Sequence, residues 1–424
     1  MSPLWKNRVE LCDVFVIVRA GHCGFFGYLS GMLRVSLIFL FFGTLNAHSQ
    51  DIKSKYLPGK TKGTLPYLEY GLGVDRLGGA KMTFLDTGIL VKVVDSTVIN
   101  YKLQLSRNHF AWLPKDNFRL DTALKTPSYY LTSSWVVNGD DKYDYVTISL
   151  DEKLPYRSQQ QINPSRIVVD IFGATSNTNW ITQRSTAREV KNVYHEQPED
   201  DVFRVVIELN HKQHWGYSIF YRDKKLVIRV KRQPEELDLE KLKVAVDAGH
   251  GGDNNGATGV STGIQEKKYT LLIAKQLERM LQQEEARVFM TRTKDTSLSM
   301  TDRILMVQNE DPDFLISIHL NSSVRDSVRG VSTYYRYIGF RPLTYYIQQS
   351  MLEIGLEDFG NIGSFNFALN GPTDYPNCLV EVAFISNKED EQLILDPEFH
   401  KAVATQIVKG IREWLKSCKN NEED

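Results

Sequence analysis

The hydrophobic period of the chain changes once, at "KRQPEELDLEKLK" (Lys231–Lys243), and that change decides the architecture. Downstream of it, short apolar runs alternate with longer amphipathic ones. Strand-like "KVAVDAG", "ARVFMTR", "FLISIHL" and "CLVEVAF" are interleaved with helix-like "EKKYTLLIAKQLERMLQQ", "MTDRILMVQNE", "PLTYYIQQSMLEIG" and "PEFHKAVATQIVKGIREWLKS". Such alternation predicts an α/β domain over 240–418, with a mostly parallel twisted sheet flanked by helices on both faces. Leu271, Ala274, Leu277 and Leu281 form one stripe on the first helix, placed to pack on that sheet.

Upstream, the text has period two. "YDYVTISL", "RIVVDIFG", "FRVVIELN" and "KLVIRVKR" alternate apolar and polar residues, so each strand has one buried and one wet face, as in a sandwich. This block, 124–235, resembles the AMIN-type β-domains that precede the catalytic part of cell-wall amidases. The resemblance implies localisation on the envelope, and a plain structural spacer is the alternative. Before it, "ILVKVVDS" and "NYKLQLS" with close turns predict a small barrel over 50–123. "YKLQLS" followed by "AWLP" resembles a bacterial SH3-type domain. The chain is thus read as multidomain, with two small all-β domains ahead of the α/β domain.

Residues 1–49 are read separately. "MLRVSLIFLFFGTLNAHSQ" places Arg34 before a short apolar run and small residues at Ala47–Ser49, the pattern of a cleaved secretory signal. The run is short for a membrane span. Translation is expected to start at Met32, with no lipid anchor and no transmembrane segment in the mature chain. The protein is therefore expected to be exported, periplasmic or envelope-associated. Export would remove Cys12 and Cys23, leaving Cys378 and Cys418 either paired or as two buried thiols. A formal charge of -1 gives no sign of nucleic-acid binding. The acidic tail, 419–424, is expected to be solvated.

"KVAVDAGHGGDNNGATGVSTGIQEKK" has the outline of a phosphate cradle but lacks its Gly-Lys-Ser/Thr, and an acid opens the following helix. The ionisable residues fall elsewhere. His250 follows one strand, Glu266 begins a helix, His319 closes "FLISIHL", and Glu381 lies within "CLVEV". In a parallel sheet, strand ends and helix starts gather at the carboxyl edge. Two imidazoles and a carboxylate suit an open zinc site better than an oxygen-only ion. Each residue also has an ordinary reading: His250 as a loop cap, Glu266 favoured by the helix dipole, His319 as a satisfied core histidine. Glu381 amid apolar strand residues requires a partner.

From Lys243 to Leu415 the chain resembles the zinc-dependent N-acetylmuramoyl-L-alanine amidases of the AmiC-like, Amidase_3 type. The motifs are "DAGHGG", "GATG", "EKKYTLLIA", "TRTKD", "DRILMVQN", "SIHLNSS" and "LVEVAFISN". The resemblance implies His250, Glu266 and His319 as ligands of Zn2+ and Glu381 as the catalytic glutamate. It further implies peptidoglycan, a glycan strand with stem peptide, as substrate. Envelope or division proteins would be partners of the β-domains. "EVAF" stands where "EGGF" or "EAGF" is usual, which removes no ligand. Arg292 and Arg303 are read as loop ties and Asn387 as a helix cap. Some family members insert an inhibitory helix between the second histidine and the catalytic glutamate; here Asn321–Val380 holds no spare one. Two rivals stand: a catalytically silent peptidoglycan-binding scaffold, and a zinc peptidase cutting within the stem peptide.

Overall fold

In the computed structural model, residues 56–73, 77–124 and 126–420 are described. The expected secretory signal, Cys12, Cys23 and the tail from Asn421 lie outside them. The six strands of the carboxyl-terminal sheet are β1 (Lys243–Ala248), β2 (Arg287–Met290), β3 (Phe314–Asn321), β4 (Val331–Tyr334), β5 (Asp358–Ile362) and β6 (Asn377–Phe384). Its helices are α1 (Glu266–Gln283), α2 (Met300–Glu310), α3 (Arg341–Leu352), α4 (Lys388–Leu395) and α5 (Pro397–Asn420). The spatial order is β2-β1-β3-β6-β4-β5. Strands β2, β1, β3 and β6 are mutually parallel, as alternation with helices requires.

The sheet is nevertheless mixed. β4 pairs antiparallel with β6, and β5 pairs parallel with β4, so this edge runs opposite to the rest. The expectation of a mostly parallel sheet is corrected there. The chain reverses in the loop after β3, and α3 then supplies the crossover that a parallel β4–β5 pair needs. α3 packs on the main core through Leu343, Ile347 and Met351, so the interval from Asn321 to Val380 is spent on fold.

Alternate residues of each central strand face different layers. Val244, Val246, Phe314, Ile316, Ile318, Val380 and Val382 join the larger core with Ile273, Leu277, Ile347, Val403, Ile407 and Ile411 of α1, α3 and α5. Ala245 and Leu315 join a smaller core with Ile304 and Val307 of α2. Burying each such leucine-sized side chain contributes ~2 kcal/mol. On α1 the buried stripe is Thr270, Ile273, Ala274, Leu277 and Leu281, while Leu271 is only half-buried. Cys378 and Cys418 lie inside the larger core as buried thiols and are not joined in a disulfide, which settles the alternative left by the sequence.

Ahead of this domain, residues 130–231 form two facing sheets. One is four-stranded and antiparallel, and the other runs Tyr130–Gly139, Tyr143–Leu150, Lys225–Lys231, Tyr217–Arg222, with the last of these at its edge. All four runs expected as strands are strands. Residues 57–120 form a seven-stranded antiparallel sheet, and its core is continuous with that of the sandwich. Among the described residues its end strands, Lys81–Phe84 and Phe118–Leu120, do not pair with each other.

The sandwich is fixed to the α/β domain where β1 and β3 begin. Trp215 and Trp414 have ring centroids 5.1 Å apart, and Trp414 Nε1 donates to Gln213 Oε1 at 3.0 Å. Lys231, 1% exposed, pairs with Asp311 at 2.8 Å and donates to Pro312 O at 2.6 Å. These contacts leave the opposite edge of the sheet, where β1 and β3 end, to other uses. No described helix is long and apolar enough to cross a membrane.

Candidate metal centre

His250, Glu266 and His319 meet at the carboxyl edge of the sheet, and one ligand atom from each lies within 4.8 Å of the others. Three local features bring them together. His250 follows β1 with φ 61, a left-handed conformation that turns the chain sharply off the strand. Glu266 is the first residue of α1. His319 lies on the α2 face of β3, where Gly249 makes room for its ring: a Cβ at Gly249 would sit 2.4 Å from His319 Cε1. Gly256 serves Glu266 in the same way, since a Cβ there would meet Oε2 at 2.5 Å.

Glu266 Oε1 lies between the two imidazoles, 3.0 Å from His250 Nε2 and 3.1 Å from His319 Nδ1. Leu320 N donates to the same oxygen at 3.0 Å, and Ala257 N donates to Oε2 at 2.8 Å. Burial alone would raise the Glu266 carboxyl, but hydrogen bonds from His250 and His319 outweigh it and hold the group well below the usual carboxylate range. His250 shows the converse. Burial lowers its pKa, and the bond to Glu266, the charge of that carboxylate and the bond to Asn254 together more than compensate, so the imidazole is raised. Asn254 Oδ1 accepts from His250 Nδ1 at 2.9 Å and turns Nε2 towards Glu266.

Beneath this layer lies a buried polar network. Asp247, 0% exposed, accepts from Thr291 Oγ1 at 2.6 Å, Ser317 Oγ at 2.8 Å and Arg303 Nη1 at 2.6 Å. Arg303 also donates to Ala248 O at 2.9 Å and to His250 O. Arg292 donates to Ala248 O and Gly249 O, both at 2.8 Å, and to Lys267 O at 2.7 Å. Both arginines therefore tie down the histidine loop, as their positions in the sequence implied. Asn387 caps α4, accepting from Glu389 N and Asp390 N at 3.0 Å.

Glu381 on β6 is the register neighbour of His319 on β3 and of Ser332 on β4. Strand parity puts it on the same face of the sheet as His319. It is half-buried, beside the three-residue cluster and not within it. Sequence reasoning missed Asn254 and Phe367. Asn254 lies four residues after His250, a spacing that could have suggested a side-chain contact within the loop. Phe367 stands against His319 with ring centroids 5.2 Å apart, and nothing in its sequence neighbourhood marks it.

Comparison with known proteins bears on the domains that carry these residues. Residues 244–413 match the family described as N-acetylmuramoyl-L-alanine amidase, and residues 136–230 match the AMIN domain. A probable cell wall amidase LytH of Staphylococcus saprophyticus is 25% identical over 310 residues, which cover 72% of this chain and 97% of that protein. The Staphylococcus aureus protein of that name is 32% identical over 183 residues, 43% of this chain and 61% of its own length. The chain thus spans nearly all of one of these relatives and about three fifths of the other. The catalytic domain of CwlV from Bacillus (Paenibacillus) polymyxa is 33% identical, covering 41% of this chain and 98% of that one, with a TM-score of 0.40. Residues 244–413 are a domain of the N-acetylmuramoyl-L-alanine amidase family, and the chain carries it behind an AMIN domain.

Proposed function

We propose that the chain is a peptidoglycan hydrolase that cleaves the amide between the lactyl group of N-acetylmuramic acid and the L-alanine of the stem peptide. The match of residues 244–413 to the amidase family supports the reaction class. The observation that carries the site is the convergence of His250, Glu266 and His319 within 4.8 Å, with Glu381 on the adjoining strand. Two imidazole nitrogens and one buried carboxylate are a donor set that fits zinc, and these residues would hold it. Bound there, zinc supplies a Lewis acid for the scissile carbonyl and lowers the pKa of a water.

The protein's own groups do the rest. Glu381 takes a proton from the attacking water and returns it to the departing alanine amine. Asn254, Arg292 and Arg303 hold the His250 loop, so that little reorganisation is needed at the moment of reaction. The AMIN sandwich places the cleft on the wall, and action is outside the cytoplasm, in the periplasm or on the envelope.

A defined disaccharide–peptide tests this reading. Products must be the intact disaccharide with a free lactyl carboxyl and a peptide beginning with L-alanine. A peptide with any other new amino terminus would make the enzyme a stem-peptide peptidase. Binding without cleavage by the zinc-loaded chain would make it a scaffold.

A further inference from the structure

We infer that the amino-terminal β-domain, residues 57–120, is a working part of the catalytic cleft, because it fixes the aromatic wall beside His319. The inference rests on the amidase reading for its substrate but on contacts alone for its mechanics.

The wall is the segment 363–371. Phe367 packs edge-on against His319, and Phe365 stacks behind it with ring centroids 6.4 Å apart and planes 21° off parallel. Phe365 also lies 4.5 Å from the ring of Tyr334 on β4. Apart from the short 3-10 turn Ala368–Asn370, this segment has no regular structure of its own. Irregular, half-buried backbone of this kind opens easily unless something outside it holds it.

Its own domain holds the ends, through Phe365 N to Tyr335 O at 3.1 Å and Asn370 Nδ2 to Asn377 Oδ1 at 2.9 Å, and the first domain grips the middle. Asn366 sits between the two phenylalanines and uses its full hydrogen-bonding capacity. Its Nδ2 donates to Gly79 O at 2.8 Å and to Leu77 O at 3.3 Å. Its Oδ1 accepts from Lys81 N at 3.1 Å and from Arg336 Nη1 at 3.2 Å. Arg336 closes the clamp by donating to Lys81 O. At the far end of the segment a Cβ on Gly371 would meet Phe84 Cε2 at 2.8 Å, and Leu65, Phe84 and Phe367 pack on the same small core. Three of the four partners of Asn366 are backbone groups of residues 77–81, so the grip depends on that strand and turn being folded in place. A rigid wall next to a zinc-site histidine positions the glycan–peptide without costing loop entropy at each turnover.

The test compares the chain starting at Gln50 with its Asn366→Ala and Arg336→Ala variants. Hydrogen exchange of 363–371 should accelerate about tenfold or more, while α1 exchanges as before. With zinc content unchanged, KM for the disaccharide–peptide should rise about fivefold and kcat should move less than about twofold, the split expected of a lost positioning surface. Unchanged exchange in 363–371 would overturn the anchoring. Faster exchange with an unchanged KM would overturn the role in the cleft. A wild-type chain that leaves the disaccharide–peptide intact would refute the amidase reading alone, and the exchange result would still decide the anchoring.

Discussion

Replacing Asp247 with alanine strips the counter-charge from Arg303, which is 1% exposed and has no water to turn to. Breaking a buried pair by removing one partner costs about 3–5 kcal/mol, because the remaining charge stays desolvated. Arg303 keeps its bonds to Ala248 O and His250 O, while Thr291 and Ser317 lose an acceptor. A loss of about 4 kcal/mol follows, or a Tm lower by about 12 °C for a domain of this size. Adding Arg303→Met removes the stranded charge, so the double variant should recover about 2 kcal/mol relative to the sum of the singles. Burial alone would raise the Asp247 carboxyl, but the Arg303 charge, the Thr291 and Ser317 hydrogen bonds and the nearby His319 together outweigh it, so the folded pKa lies below the ordinary value. The stability it contributes is therefore present above the unfolded-state pKa of about 3.9 and lost only as pH falls through the lower folded value. Urea unfolding followed by tryptophan fluorescence measures the set. A loss below about 1 kcal/mol at neutral pH, or a double variant as damaged as the sum, would refute the reasoning.

Asn254→Ala should weaken zinc binding about 10- to 100-fold in a chelator competition while leaving thermal stability nearly unchanged, because it removes the group that orients His250. Gly249→Ala should abolish tight zinc binding in the same assay, since the added methyl occupies the space of the His319 ring. The raised His250 gives the metal-free chain stability that is fully present below its unfolded pKa of about 6.5 and is lost as pH rises through the folded value. Zinc must displace that proton, so affinity should climb with pH across the same interval, with proton release measurable by calorimetry in two buffers. Reductant should leave the melting temperature unchanged, because Cys378 and Cys418 are not joined in a disulfide.

Helices α1 and α2 begin and end where their amphipathic runs do, and in α2 the capping residues agree with the pattern: Ser299 accepts from Asp302 N, and Asp311 closes the helix with φ 47. The three clustered residues could be named before any coordinates because each ends a strand or starts a helix, and a parallel arrangement sends such positions to one edge. β4 and β5 were not legible. β4 is four residues long and buried throughout, so it carries no alternation to read. Of the expected helix stripe, Ala274, Leu277 and Leu281 are buried, and Leu271 packs only partly because Thr270, a polar residue, takes a buried place against Gly249 O at 2.8 Å. Contacts between one domain and another escaped. Nothing near Asn366 shows that it is gripped by residues 77–81, and nothing near Trp215 shows that it meets Trp414. Such pairings follow from how folded units dock, and local periodicity is blind to that.

The most direct measurement is mass spectrometry of purified sacculi digested with the chain starting at Gln50, run as isolated, after chelation, after zinc is restored, and with Glu381→Ala. Free stem peptides beginning with L-alanine are expected in the first and third digests and none in the second and fourth. Peptide release that survives chelation, or that Glu381→Ala leaves intact, would contradict the zinc-amidase reading.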